Sequence, residues 1–173
     1  MHKIYSPFQN ISADKIVISD STEVHYLKNV LRLKPDEGIV IFDNKGNEYV
    51  TKIEEIIHKS IILRIKDKHQ VIPAKNIRIT VACAIPKKSR MDDVVDKLTQ
   101  LGVDRIIPLE TKRVEVKLDK NKKLSRYQRW KKIALSAACQ SQRNTLPLLE
   151  PIQDIKEILS KSKDFDLKLL PTL

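Results

Sequence analysis

The sequence predicts a chain of mixed α+β / α/β class: an N-terminal β-barrel over residues 1–72, then an α/β unit with a parallel sheet over residues 76–173. Three observations carry this. Short β-branched runs separated by turn residues fill the first part. A break at Val71-Ile72-Pro73-Ala74-Lys75-Asn76 interrupts that pattern. Beyond it, strand-like and helix-like periods alternate with short connections, which is how βα units of a parallel sheet read.

In the first block the strands are Ile16–Ile18, Ile39–Phe42, Tyr49–Ile57 and Ile61–Ile65, with Asp43-Asn44-Lys45-Gly46-Asn47 as a turn between two of them. One helix interrupts them. Asp20 followed by Glu23 has capping-box spacing, and Val24, Leu27, Val30 and Leu31 make its apolar stripe. In the second block Ile77–Ile85 is a near-continuous apolar run, expected for a strand covered on both faces. Ser89 and Asp92 can cap a helix carrying Met91, Val94, Val95, Leu98 and Leu101, with Gly102 at its C-cap and Asp104–Leu109 as the next strand. Lys117–Lys123 reads as a basic loop, Ser125–Gln142 as a long helix, Asp154–Lys161 as a short one and Asp166–Leu170 as a last strand. The long helix buries Trp130, Ile133, Ala134, Ala137 and Ala138 on one face and carries Arg126, Arg129, Lys131 and Lys132 on the other.

Composition narrows the function. With 41% hydrophobic residues the chain can bury a core, and 33 Lys plus Arg against 22 Asp plus Glu leave a net charge of +11. That excess favours a polyanionic partner, because each neutralised phosphate releases counterions. The only glycines are Gly38, Gly46 and Gly102, too scattered for a phosphate-cradling loop. Cys83 and Cys139 are far apart among apolar residues and the four histidines form no cluster, so no metal site is expected. No apolar run approaches the roughly 20 residues of a bilayer span, and a cytoplasmic protein without a membrane partner is expected.

Candidate ligand-binding residues fall where elements end. Lys87, Lys88 and Arg90 follow the first strand of the second block, Arg113 follows the next strand, and Arg143 and Asn144 follow the long helix. Together they point to one edge built for an anion. The helix end, Gln140-Ser141-Gln142-Arg143-Asn144, places amides and a guanidinium on a packed element, where fixed donors can read a nucleotide. His25, Lys28 and Arg32 on the first block's helix are open to two readings, phosphate contact or a solvated polar face. Asp92, Asp93 and Asp96 read as capping and solvated-face residues. Aromatic residues are too sparse for a base-stacking platform, and Trp130 reads as core.

These pieces, in this order, resemble the RsmE family, which methylates N3 of a uridine in 16S ribosomal RNA. The segment from His25 through Val30-Leu31-Arg32 to Gly38 is similar to its H-x-x-x-VLR-x-K-x-G, and Ile41-Phe42-Asp43 to its following strand. Pro86-Lys-Lys-Ser-Arg-Met-Asp92 is similar to P-K-G-x-R-M-D, Lys97–Val103 to K-x-T-E-L-G-V, and Arg113 to the Arg of R-S-V. Arg129-Trp130 and Ala138–Asn144 with Pro147 are similar to R-W and A-x-Q-S-x-R-N-x-x-P. Lys88, Gln100 and Val114 depart from the family's Gly, Glu and Ser.

The resemblance implies a PUA-like RNA-binding barrel over residues 1–72 and the first part of a SPOUT methyltransferase domain over 76–173. It implies S-adenosylmethionine as cofactor, 16S rRNA of the small ribosomal subunit as partner, and a homodimer. The family's Gly-Pro-Glu-Gly-Gly cofactor loop is expected after residue 173, so a truncated member, inactive by itself, is expected, with a non-catalytic RNA-binding module as the alternative. By resemblance Arg143 acts at the target uridine or its phosphate, and Gln140 and Asn144 hold or read the base. Lys87, Arg90 and Arg113 contact phosphates, and Arg32 helps the barrel grip RNA.

Overall fold

In the computed structural model, which describes residues 1–70, 77–86, 90–111 and 119–170, the chain falls into two units. The first is Met1–Asn76 with Ala138–Leu146, the second Ile77–Ala137 with Pro147–Leu173.

The strands of the first unit are β1 (His2–Tyr5), β2 (Lys15–Ile18), β3 (Gly38–Phe42), β4 (Asn47–Ile56) and β5 (Ile61–Gln70). They form one mixed sheet in the order β1-β3-β4-β5-β2, with β1 parallel to β3 and the other pairs antiparallel. The sheet is a half-barrel whose edges are β1 and β2. Its inward positions, Ile16, Ile18, Ile39, Ile41, Ile53, Ile61 and Leu63, are fully buried and surround Leu27 from the helix. Each such side chain contributes about 1.5–3 kcal/mol by leaving water. The strand β1 carries no turn signal and was not foreseen; β5 runs five residues beyond the expected Ile65, through a basic stretch.

The helix of this unit departs from a simple amphipathic one. Asp20 caps α1 (Ser21–His25), accepting from the Thr22 and Glu23 N–H groups at 2.9 and 3.0 Å. The chain then widens into a π-helical turn, Tyr26–Val30, and Arg32 leaves it at φ 54°. The wider turn rotates the polar face: His25 Nδ1 meets Asn29 Nδ2 at 2.8 Å, and Arg32 stands exposed past the helix rather than one turn above Lys28.

In the β3–β4 turn, Asp43 accepts hydrogen bonds from the backbone N–H groups of Lys45 and Asn47 and from the Asn47 amide. Burial pushes its carboxyl up, but these bonds, with one from the Tyr49 hydroxyl, outweigh that and hold it below its ordinary value.

The second unit is a parallel sheet with helices. Its elements are β6 (Thr80–Ala84), α2 (Arg90–Leu101), β7 (Arg105–Glu110), α3 (Lys120–Gln140, whose last three residues belong to the first unit), β8 (Leu148–Leu149), β9 (Gln153–Asp154) and α4 (Ile155–Ser160). Strands β6, β8 and β9 all pair parallel to the central β7. The pairing register moves by one residue between β8 and β9, so they are one strand interrupted by a bulge around Pro151. Trp130, Ala134, Met91, Val95, Ile85, Val103, Ile106 and Leu149 form its core. Gly102 closes α2 at φ 78°, where a left-handed residue is needed. Asp154 and Glu157 form a capping box on α4.

Several expectations are corrected. The apolar run 77–85 makes a strand only over Thr80–Ala84, and Ala82 and Ala84 are exposed: β6 is an edge strand covered on one face, whereas β7 is buried on both. Lys120–Lys123 are helical, because the Asp119 carboxylate accepts from the Lys122 N–H and starts α3 there. At its other end α3 stops at Gln140, before Gln142. Leu101 is exposed at the end of α2. Residues 166–170 form no strand, and Leu167, Leu169 and Leu170 are exposed. Asp92 does more than face solvent: it accepts from Trp130 Nε1 at 3.0 Å and from Arg129 Nη2 at 2.6 Å, tying α2 to α3.

Candidate nucleic-acid interface

The end of α3 is built like a Schellman motif without its glycine. The Arg143 N–H reaches back to Ala138 O at 2.9 Å, and the Gln142 N–H to Cys139 O at 3.4 Å. That geometry needs a left-handed residue, and Gln142 supplies it at φ 59°. A side chain in this region costs about 1–2 kcal/mol, so neighbouring contacts must hold it.

Two contacts do so. Lys3 on β1, 8% exposed, places Nζ 2.7 Å from Glu48 Oε2 and 3.2 Å from Gln142 O. The Leu146 N–H donates to Asn44 Oδ1 at 2.6 Å, from the β3–β4 turn, where Asn44 is itself at φ 58°. Residues 142–146 are therefore fastened at both ends to the first unit's sheet. Between those fastenings stand Arg143 and Asn144, both half-buried. The Asn144 Oδ1 atom is buried without a hydrogen-bond partner among the described residues. Gln140, the last helical residue, is exposed beside them.

The surroundings are electrostatically unusual. Burial and the neighbouring Asp20 carboxylate raise the Glu23 pKa to about 7. Burial pushes the Cys139 thiol up, opposed by a hydrogen bond from the Tyr5 backbone and by Lys3, and reinforced by Glu23. Burial also raises Tyr5, with Glu23 and Asp43 adding to it.

Glu23 makes a pH prediction with a definite sign. Its folded pKa lies above the unfolded value, so its stabilising contribution is complete below about pH 4.5 and is lost as pH rises through about 7. The Glu23→Gln protein should match wild type in Tm at about pH 4 and exceed it at about pH 8. Parallel Tm curves across that range would contradict the assignment.

Of the residues foreseen from sequence, the structure brings Gln140, Arg143 and Asn144 together on one short stretch. Arg32 is exposed in the same unit, past the π-helical turn. Arg90 opens α2, exposed, in the second unit. Lys87 and Arg113, with Lys88, Ser89 and Val114, lie outside the described residues. Nothing in the sequence points to Lys3 or Asn44 as site residues, and Gln142, expected within the helix, stands just past its end. No local pattern marks Lys3: the run His2-Lys3-Ile4-Tyr5 does not alternate, and Lys3 lies on the sheet face opposite the core residue Ile4.

The three glycines stand apart, at the start of β3, in the β3–β4 turn and at the α2 C-cap. The described residues thus form no glycine-lined cradle of the sort an adenosyl cofactor uses. Among the described residues no three His, Cys, Asp or Glu side chains gather to hold a metal ion. No helix among them is long and apolar enough to cross a membrane.

Comparison with known proteins agrees with this architecture. Residues 73–172 match the RNA methyltransferase domain family, and residues 18–66 match the RNA methyltransferase PUA domain. The chain is 29% identical over 147 residues to ribosomal RNA small subunit methyltransferase E of Bacillus subtilis, covering 83% of this chain and 56% of the relative. With the protein of the same name from Mesomycoplasma hyopneumoniae it shares 30% identity over 170 residues, covering 96% of this chain and 70% of the relative. The chain thus spans little more than half of the Bacillus relative, and 65% of a third, from Rickettsia conorii. Among solved structures, a Legionella pneumophila methyltransferase in complex with the bound cofactor SAM superposes with a TM-score of 0.88 at 30% identity, covering 96% of this chain and 68% of that one. Ribosomal RNA small subunit methyltransferase E from Neisseria gonorrhoeae, bound to S-adenosyl methionine, superposes with a TM-score of 0.84 at 31% identity, covering 93% and 66%.

Proposed function

Because the chain belongs to the ribosomal RNA small subunit methyltransferase E (RsmE) family of RNA methyltransferases, we propose that it serves S-adenosylmethionine-dependent methylation of N3 of a uridine in 16S rRNA. The observation that supports this most is the fastened stretch Gln142–Leu146, which holds Arg143 and Asn144 in place at the end of α3. S-adenosylmethionine supplies the methyl group in this reading, from a site largely outside the described residues.

What these residues do follows from uridine chemistry. N3 carries a proton and is a poor nucleophile until that proton leaves. The N3–H is a donor of the kind an amide oxygen accepts, the role assigned to Asn144 before deprotonation. Loss of the proton spreads negative charge over N3, O2 and O4, where a fixed cation stabilises it, the role assigned to Arg143. Gln140 holds or reads the base from the helix end. Arg32 helps the first unit, the PUA-like barrel, grip RNA, and Lys87, Arg90 and Arg113 contact backbone phosphates. The net charge of +11 supports such contacts.

The reading further places the protein in the cytoplasm, where the small ribosomal subunit is assembled, and in a homodimer. The exposed apolar side chains Leu159, Leu167 and Leu169 of the second unit support self-association. The boundary between the RNA-binding and methyltransferase domains is placed at residues 73–75.

Incubation of the full-length protein with unmethylated 30S subunits and S-adenosylmethionine carrying a labelled methyl group tests the function. Label is expected at N3 of one 16S rRNA uridine. Absence of label with retained rRNA affinity would favour a non-catalytic RNA-binding module instead.

A further inference from the structure

We propose that Lys3 and Asn44 are positioning residues for the RNA-reading stretch: they hold Gln142 in its left-handed conformation and Leu146 in place, so that Arg143 and Asn144 meet the nucleotide already oriented. The inference rests on the reading that Arg143 and Asn144 touch RNA.

Lysine is rarely buried, and when it is, it has a partner. Lys3 has two: Glu48 neutralises its charge, and the carbonyl of Gln142 takes a second of its three N–H donors. The ion pair alone would account for burial of the ammonium. The bond to a backbone carbonyl 139 residues away accounts for something else, since it is made to the one residue of the α3 terminus whose conformation is unfavourable. Asn44 does the same at the far end through a backbone N–H. Neither residue needs to touch RNA; both remove conformational freedom from the segment that does, which lowers the ordering cost of binding.

The proposal is testable with the full chain and a 16S rRNA transcript as probe, combining affinity at fixed salt with amide hydrogen exchange over residues 141–146. Lys3→Ala should weaken binding on the order of tenfold and speed exchange at Arg143 and Leu146. Lys3→Arg should restore both. Adding Gln142→Gly to Lys3→Ala should recover much of the affinity, because glycine adopts positive φ without a clamp. A Lys3 that acted by touching phosphate would show no such rescue. Asn44→Ala, at an exposed turn, should speed exchange at Leu146 and weaken binding severalfold, and serves if Lys3→Ala folds poorly. Faster exchange with unchanged affinity, while Arg143→Ala loses affinity, overturns the positioning role and leaves the RNA-reading role standing. Unchanged affinity in Arg143→Ala overturns both.

Discussion

Replacing Trp130 by alanine should destabilise the second unit by about 3–5 kcal/mol. The indole is 2% exposed and packs in one core with Met91, Val95, Ile106 and Leu149. Its removal leaves a cavity that the surrounding helices and strand can close only in part. It also deletes the Nε1–H bond to Asp92, although Asp92 keeps Arg129 as a charged partner. Trp130→Phe separates the two effects. It retains most of the volume and loses the hydrogen bond, so about 1–2 kcal/mol is expected. Urea unfolding followed by far-ultraviolet circular dichroism reads both, as a lowered midpoint with an unchanged m-value. A loss below about 1 kcal/mol in Trp130→Ala would mean the indole is not the centre of that core.

The parts of the fold that were legible in sequence are those fixed by neighbours along the chain. Asp20 as an N-cap, Gly102 as a C-cap and the Trp130–Ala138 face all depend on spacings of a few residues. What escaped was fixed by distant partners or by very short elements. The strand β1 has four residues, one of them a buried lysine, and its strand character comes from pairing with β3. The pieces β8 and β9 have two residues each, too few to show any period. Asp92 read as a helix-start carboxylate because its bond to Trp130 spans 38 residues.

The candidate site shows the same division. Gln140, Arg143 and Asn144 could be named from the sequence because a helix with a buried face must end near them. The turn that aims them could not. Positive φ is usually announced by glycine or asparagine, and at this C-terminus the residue is Gln142. Its support comes from Lys3 and, at Leu146, from Asn44, more than a hundred residues earlier in the chain.

The second large effect is expected at Arg143. Its backbone is fixed by the Ala138 carbonyl and by the fastenings on either side, so less backbone freedom is left to lose on binding. A cation so held, at a site that accepts an RNA phosphate or a uracil gaining negative charge, contributes more than a mobile surface lysine. Arg143→Ala should therefore lose affinity for 16S rRNA by about 10–100-fold, and Arg143→Lys should recover only part, because a single ammonium cannot reproduce the planar fork of donors. An exposed cation such as Lys131 on the outer face of α3 gives the comparison, with an expected loss of no more than about threefold when replaced by alanine.

The most direct measurement is a titration of 16S rRNA with wild type, Arg143→Ala and Lys131→Ala at several salt concentrations. A grip built on the fastened end of α3 implies a large loss for Arg143→Ala at every salt and a small one for Lys131→Ala. Equal, small losses in both variants would contradict it, because RNA would then be held by diffuse charge and not by the fastened end of α3.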